Sequence, residues 1–169
     1  TVMDFDLTFT CQKAFGDVCS SNEGSEAGLF KIYEVIAQDF MFPDPNNVLI
    51  FLDNHDLGRF MQKGESDLRR YKQAIAFLLT TRGIPQIYYG TEILMSGTKA
   101  EGDGVIRSDF PGGWAGDPKD AFTPEGRTDL QNEAWNYMRK LLNWRQRCDA
   151  VKEGKLIHYT PDRSGCYFY

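Results

Sequence analysis

The segment pattern of this chain predicts an α/β fold built on a parallel sheet. Residues 48–52 (VLIFL) are uninterruptedly apolar and too few for a helix. A short run that is apolar on both faces is the mark of a strand buried on both sides. A second such run, Ile87, Tyr88 and Tyr89, lies about forty residues on, and segments with apolar residues at helical spacing alternate with the two runs. Strand, helix, strand, helix, strand, helix and then a strand pair is the expected order. Alternation of that kind implies right-handed crossovers and parallel pairing. Three such units make about three-eighths of a (β/α)8 barrel, which takes roughly 250 residues. Two architectures fit: a small open α/β domain, or the C-terminal portion of a barrel.

Taken in order, residues 2–7 (VMDFDL) alternate apolar with Asp and predict a short strand. A Gly/Ser/Glu-rich loop is expected over residues 19–28. Leu29, Ile32, Tyr33, Ile36 and Phe40 then form a helical stripe that Pro43 and Pro45 stop. After the 48–52 strand, Ser66 is placed to cap a helix with Leu68, Tyr71, Ile75, Leu78 and Leu79 as its buried stripe. Gly83 ends that helix and Gly90 closes the next strand. Residues 96–124 carry many glycines, Pro111, Pro118 and Pro124, and no periodicity, which predicts a long and functional loop. Thr128 with Gln131 has capping-box spacing and opens a third helix that buries Leu130, Ala134, Met138, Leu141, Leu142 and Arg145. KLIHYT and CYFY predict two strands joined by a turn over residues 161–165.

The 169 residues are 41% hydrophobic, enough for one domain with a core. The net charge is −5 and the cations are scattered, so neither nucleic acid nor a membrane surface is an expected partner. No apolar stretch reaches the roughly 18 residues of a spanning helix. No signal peptide is read at Thr1, and the missing initiator Met reads as a mature, processed or excised chain. Cys11, Cys19, Cys148 and Cys166 have no zinc-ligand spacing. Cys11 and Cys19 could pair locally, but partly buried free thiols are preferred.

Asp53, Asn54, His55 and Asp56, with Arg59 beyond them, follow the buried 48–52 strand directly. Ligands of parallel α/β folds sit at that end of the strands. Neighbours on a strand face opposite ways, so His55 and Asp56 serve one site only where the strand has ended, as Leu57 and Gly58 suggest. The plainer alternative is a loop with capping Asp and Asn. A Ser-His-Asp hydrolase lacks its G-x-S-x-G turn, and a metal site at His55 and Asp56 needs another histidine, whereas His158 lies in the late strand pair. Arg107 and Asp109 fit a loop ion pair better than a nucleophile. Trp114 and Phe110 could stack on a sugar face or anchor the loop; the pattern leaves both open.

FLDNHD at residues 51–56 resembles the fourth signature region of the α-amylase superfamily, at the end of barrel strand seven. GIPQIYYGTE at residues 83–92 is similar to that family's strand-eight segment. VMDFDL resembles strand six, and IRSDFPGGW the loop after strand eight in neopullulanase- and cyclomaltodextrinase-like members. The resemblance implies a partial (β/α)8 TIM barrel, its last three βα units, over residues 1–150. Residues 151–169 would begin a C-terminal β-sandwich domain. It assigns Asp56 as the carboxylate that stabilises the transition state, and His55 and Arg59 as substrate contacts; Arg107 and Trp114, on the long loop, are added as candidate substrate contacts. The implied activity is retaining cleavage of α-1,4 glucosidic bonds, with α-1,6 left open, on α-glucan oligosaccharides or polysaccharides. The nucleophile and acid/base carboxylates of that reaction, about 5–5.5 Å apart, belong to strands four and five and have no counterpart here. The isolated chain is therefore expected to be inactive and to self-associate through its open edges. The alternative is a non-catalytic carbohydrate-binding or interaction module. No cofactor is implied, a structural calcium in the parent enzyme stays open, and an extracytoplasmic setting is the expectation.

Overall fold

A computed structural model describes residues 2–15, 28–61, 68–161 and 166–169. The expected 19–28 loop up to residue 27, the Ser66 cap, Cys19 and residues 162–165 of the last turn lie outside the described residues. The elements are α1 (Phe5–Ala14), α2 (Leu29–Ile36), β1 (Leu49–Phe51), α3 (Leu68–Thr80), β2 (Ile84–Gln86), α4 (Asp103–Ile106), α5 (Asp129–Arg145) and α6 (Asp149–Glu153).

β1 and β2 pair in parallel with Ile50 opposite Pro85. On the other side of β1, Met3 makes a single parallel bridge to Leu49. The strand expected over residues 2–7 is thus reduced to one bridge, because the Asp4 carboxylate accepts from Leu7 N at 2.9 Å and starts α1 at Phe5. The second Asp expected in that strand, Asp6, sits in the first turn of α1. A further parallel bridge, Met61 to Ser96, joins the segments beyond the two strands.

β2 lies three residues earlier than Ile87–Tyr89, the run that its apolarity favoured. Gly83, at φ +97°, turns the chain where a Cβ would meet Val48 O at 2.8 Å, and Ile84 N then donates to Val48 O. Pairing is fixed by that close approach. Tyr88 and Tyr89 are left beyond the strand end, where they pack on Arg59.

α2 stops at Ile36, and Phe40, expected in its stripe, is exposed. The chain turns there into a 3-10 segment that brings Asp39 to the buried Arg82, which also pairs with Asp4 at 2.9 Å. α5 begins with the expected capping box of Thr128 and Gln131 and buries Ala134 and Met138 on the core of Ile50, Leu52, Phe60, Tyr71, Ile75 and Leu79. Arg145, the last of its stripe, reaches Leu79 O and Gly83 O at 2.8 and 2.9 Å and so caps the carbonyl end of α3. The 96–124 loop contains structure that its lack of periodicity hid: a 3-10 turn with a Thr98–Glu101 capping box, and α4. Among the described residues, the late strand pair is one antiparallel bridge, Tyr159 to Phe168. Among the described residues, no helix is long and apolar enough to cross a membrane.

Candidate active-site rim

The segments that follow β1 and β2 meet on one side of the sheet. Leu52, Asp53 and Asn54 are still buried, and His55 and Asp56 are the first residues to emerge, with side chains 62% and 61% exposed. Asn54 makes that emergence sharp. Its Oδ1 accepts from Asp56 N at 2.9 Å and from Leu57 N at 3.0 Å, an Asx turn that ends the extended backbone. The alternation that would send His55 and Asp56 to opposite faces is broken there, and His55 Nε2 stands 3.3 Å from Asp56 Oδ2.

Asp53 braces the turn from inside. Its Oδ2 accepts from Phe60 N at 2.8 Å, and the Thr91 hydroxyl donates to its Oδ1 at 3.2 Å, tying the β1 exit to the β2 exit. Burial pushes the Asp53 carboxyl above the ordinary range, against these hydrogen bonds and the Arg59 charge. Glu92 is also pushed up by burial, and its Oε2 is enclosed without a hydrogen-bond partner.

Arg59 lies below the rim rather than on it. It is 1% exposed; Nε donates to Ile106 O at 3.0 Å, Nη1 donates to Tyr89 O, and the guanidinium stacks on Tyr88 at 4.1 Å. A buried arginine in this position organises backbone and leaves little of itself to a sugar. Arg107 does stand at the rim. Its Nη2 lies 3.2 Å from Asp56 Oδ1 and 2.9 Å from Asp103 Oδ2, and Nε donates to His55 O at 2.9 Å. The loop ion pair expected there therefore runs to Asp56 and Asp103. Lys99, hydrogen-bonded to Asp103, holds the Asp103 carboxyl below its usual range, with Arg107 adding to the effect.

Trp114 is 74% exposed on a lobe closed by Ala121 N donating to Pro111 O at 2.8 Å. Phe110 stacks instead on Phe122, 4.6 Å between ring centres. Of the two aromatic residues, Phe110 anchors the loop and Trp114 is displayed. Among the described residues no three His, Cys, Asp or Glu side chains cluster as metal ligands. His158 lies far along the chain, bonded to Tyr167 OH at 2.8 Å. Asp53 and Asn54 stood in the sequence constellation, with a capping role as the plainer alternative, whereas Thr91 and Asp103 escaped the sequence reading. Thr91 meets Asp53 across 38 residues and has no local signal, whereas the Asx-turn potential of Asn54 and the i,i+4 spacing of Asp103 with Lys99 and Arg107 are local ones.

The alpha amylase catalytic domain family matches residues 1–146. The chain belongs to that family. Cyclomaltodextrin glucanotransferases are similar to it: that of Thermoanaerobacterium thermosulfurigenes is 38% identical over 57% of this chain, and one from Paenibacillus macerans is 56% identical over 31%. The chain spans 12% and 7% of those two relatives. Among solved structures, the gamma-CGTase of alkalophilic Bacillus clarkii superposes on 89% of this chain and 19% of its own, at TM-score 0.60 and 29% identity. The alpha-amylase of Geobacillus thermoleovorans, complexed with acarbose, superposes on 92% of this chain and 30% of its own, at TM-score 0.65 and 26% identity. A cyclomaltodextrinase at 18% identity shares the fold alone. As a member of the alpha-amylase catalytic domain family, the chain has a partial TIM-barrel fold, and its His55–Asp56 turn is at the C-terminal end of a barrel strand. In that fold this is the ligand-bearing face.

Proposed function

We propose that this chain is the last part of an α-glucan-active catalytic barrel, in which Asp56 is the fixed anion beside the sugar undergoing cleavage. The observation that carries the reading is the Asn54 turn, which lifts one carboxylate and one imidazole together out of a buried strand end. An oxocarbenium-like centre gains from a preorganised anion, and hydroxyl contacts from His55 strengthen as charge develops. Arg107 and Trp114 flank that position as candidate sugar contacts, while Arg59 supports it from below. The nucleophile and acid/base pair lie on segments other than these residues, so cleavage is retaining only in a polypeptide that supplies them. Cleavage of α-1,4 bonds, by hydrolysis or by transfer, is in keeping with relatives called cyclomaltodextrin glucanotransferases and alpha-amylase. The Tyr159–Phe168 bridge, beyond the matched region, is in keeping with the start of a C-terminal β-sandwich.

The displayed Trp114 favours one other reading, a carbohydrate-binding module without chemistry. Calorimetric titration of the chain with maltooligosaccharides separates the two. A partial site lacking most of its sugar contacts gives no heat of binding at millimolar sugar. Saturable binding at micromolar to low-millimolar Kd supports the module and overturns the reading of a partial catalytic site.

A further inference from the structure

Two arginines cross between the His55–Asp56 turn and the segment beyond β2, each bonding backbone of the segment from which the other comes. Arg59 leaves the turn: its amide donates to Gly97 O at 2.8 Å and its guanidinium to Ile106 O and Tyr89 O. Arg107 comes back from the adjacent residue of that same segment, donating to His55 O and touching Asp56 Oδ1. Ile106, between them, is fully buried. The buried arginine thus fixes the backbone from which the exposed arginine reaches.

An exposed ion pair alone is screened by water and holds a side chain only weakly. Here the fork of Arg107 has three acceptors, one of them a backbone carbonyl, so its direction is set independently of Asp56. The Asp56 carboxylate accepts on Oδ1 from Arg107 Nη2 at 3.2 Å, while His55 Nε2 stands 3.3 Å from Oδ2. We infer that Arg107 is a positioning residue that holds Asp56 in one side-chain rotamer, with Arg59 and Asp103 as its supports. The inference deepens the proposed role of Asp56, since a charge stabiliser works only where it is already aimed.

The test is by NMR on the 13C,15N-labelled chain, through the three-bond couplings from backbone N and C′ to Asp56 Cγ. They need no sugar and no turnover, so they stand whether or not the glucan reading does. The wild-type chain should give the limiting couplings of a single staggered rotamer, each either fully large or fully small and neither intermediate. Arg107→Ala and Arg107→Gln should average them, Arg107→Lys should bring them part of the way back, and Asp103→Asn should lie between. Exchange protection of the Arg59 and Ile84 amides should persist in Arg107→Ala, which shows that the fold has survived. A rotamer-averaged Asp56 in the wild type, or an unchanged single rotamer in Arg107→Ala, would overturn the inference. So would equal averaging in Arg107→Lys and Arg107→Ala.

Discussion

Asp53, Asn54, His55 and Asp56 are consecutive, yet the first two are buried braces and the last two are exposed. The division of labour gives different consequences for neighbouring carboxylates. Asp56→Asn, in a polypeptide carrying the complete barrel, should lower kcat by roughly 10²–10³-fold or more through loss of a preorganised charge. The melting temperature should stay within a few degrees, because the side chain is in solvent. Turnover near the parent rate would remove Asp56 from the mechanism. Asp53 behaves oppositely. Its carboxyl is raised by burial, so the folded state holds that proton more tightly than the unfolded state does. The stability linked to this group is present below the unfolded Asp value and is lost as pH rises through the folded one; Glu92, raised by burial too, adds in the same direction. Melting temperature should therefore rise as pH is lowered toward the unfolded Asp value. Asp53→Asn should flatten that rise while keeping an acceptor for Phe60 N. A variant that unfolds at neutral pH, or keeps the full slope, contradicts this account. The HD pair itself was legible in the sequence. The burial of Arg59 was not, since its partners Tyr89 and Ile106 lie thirty and more residues away and only the fold assembles them.

A clear cap or stripe placed its helix: α5 starts behind the Thr128 cap, and α3 buries its stripe of Leu68, Tyr71, Ile75, Leu78 and Leu79. Local signals sufficed because caps and stripes act within a few residues. The strands were less legible. Apolarity marked 87–89 as the second strand, but the turn at Gly83 set the register three residues earlier, and the first strand gave way to an Asp4-capped helix. Gly83→Ala should accordingly cost about 2 kcal/mol or more, from strain at φ +97° and collision with Val48 O, as read from denaturant midpoints. Thr128→Ala should cost about 1 kcal/mol by loss of the cap. Effects below half a kilocalorie per mole at both sites would show that neither fixes its element.

The described sheet has two parallel strands, and its open side is apolar. Ile84 of β2 is 44% exposed. Between the β2 exit and α5 runs a groove of about 450 Å³ lined by Ile87, Tyr89, Glu92, Trp135, Met138 and Leu142. A parallel edge and an uncovered apolar groove favour association. Light scattering on the pure chain at high concentration should report dimers or larger species; a clean monomer would contradict that. The chain's place in a larger site is tested most directly by reducing-sugar release from soluble starch and maltooligosaccharides by the purified wild-type chain. If, as proposed, the stabilising carboxylate is on these residues and the bond-breaking pair is elsewhere, the rate should equal the buffer blank. Release above the blank, abolished in Asp56→Asn, would show that the chain holds a complete catalytic apparatus and would contradict the account.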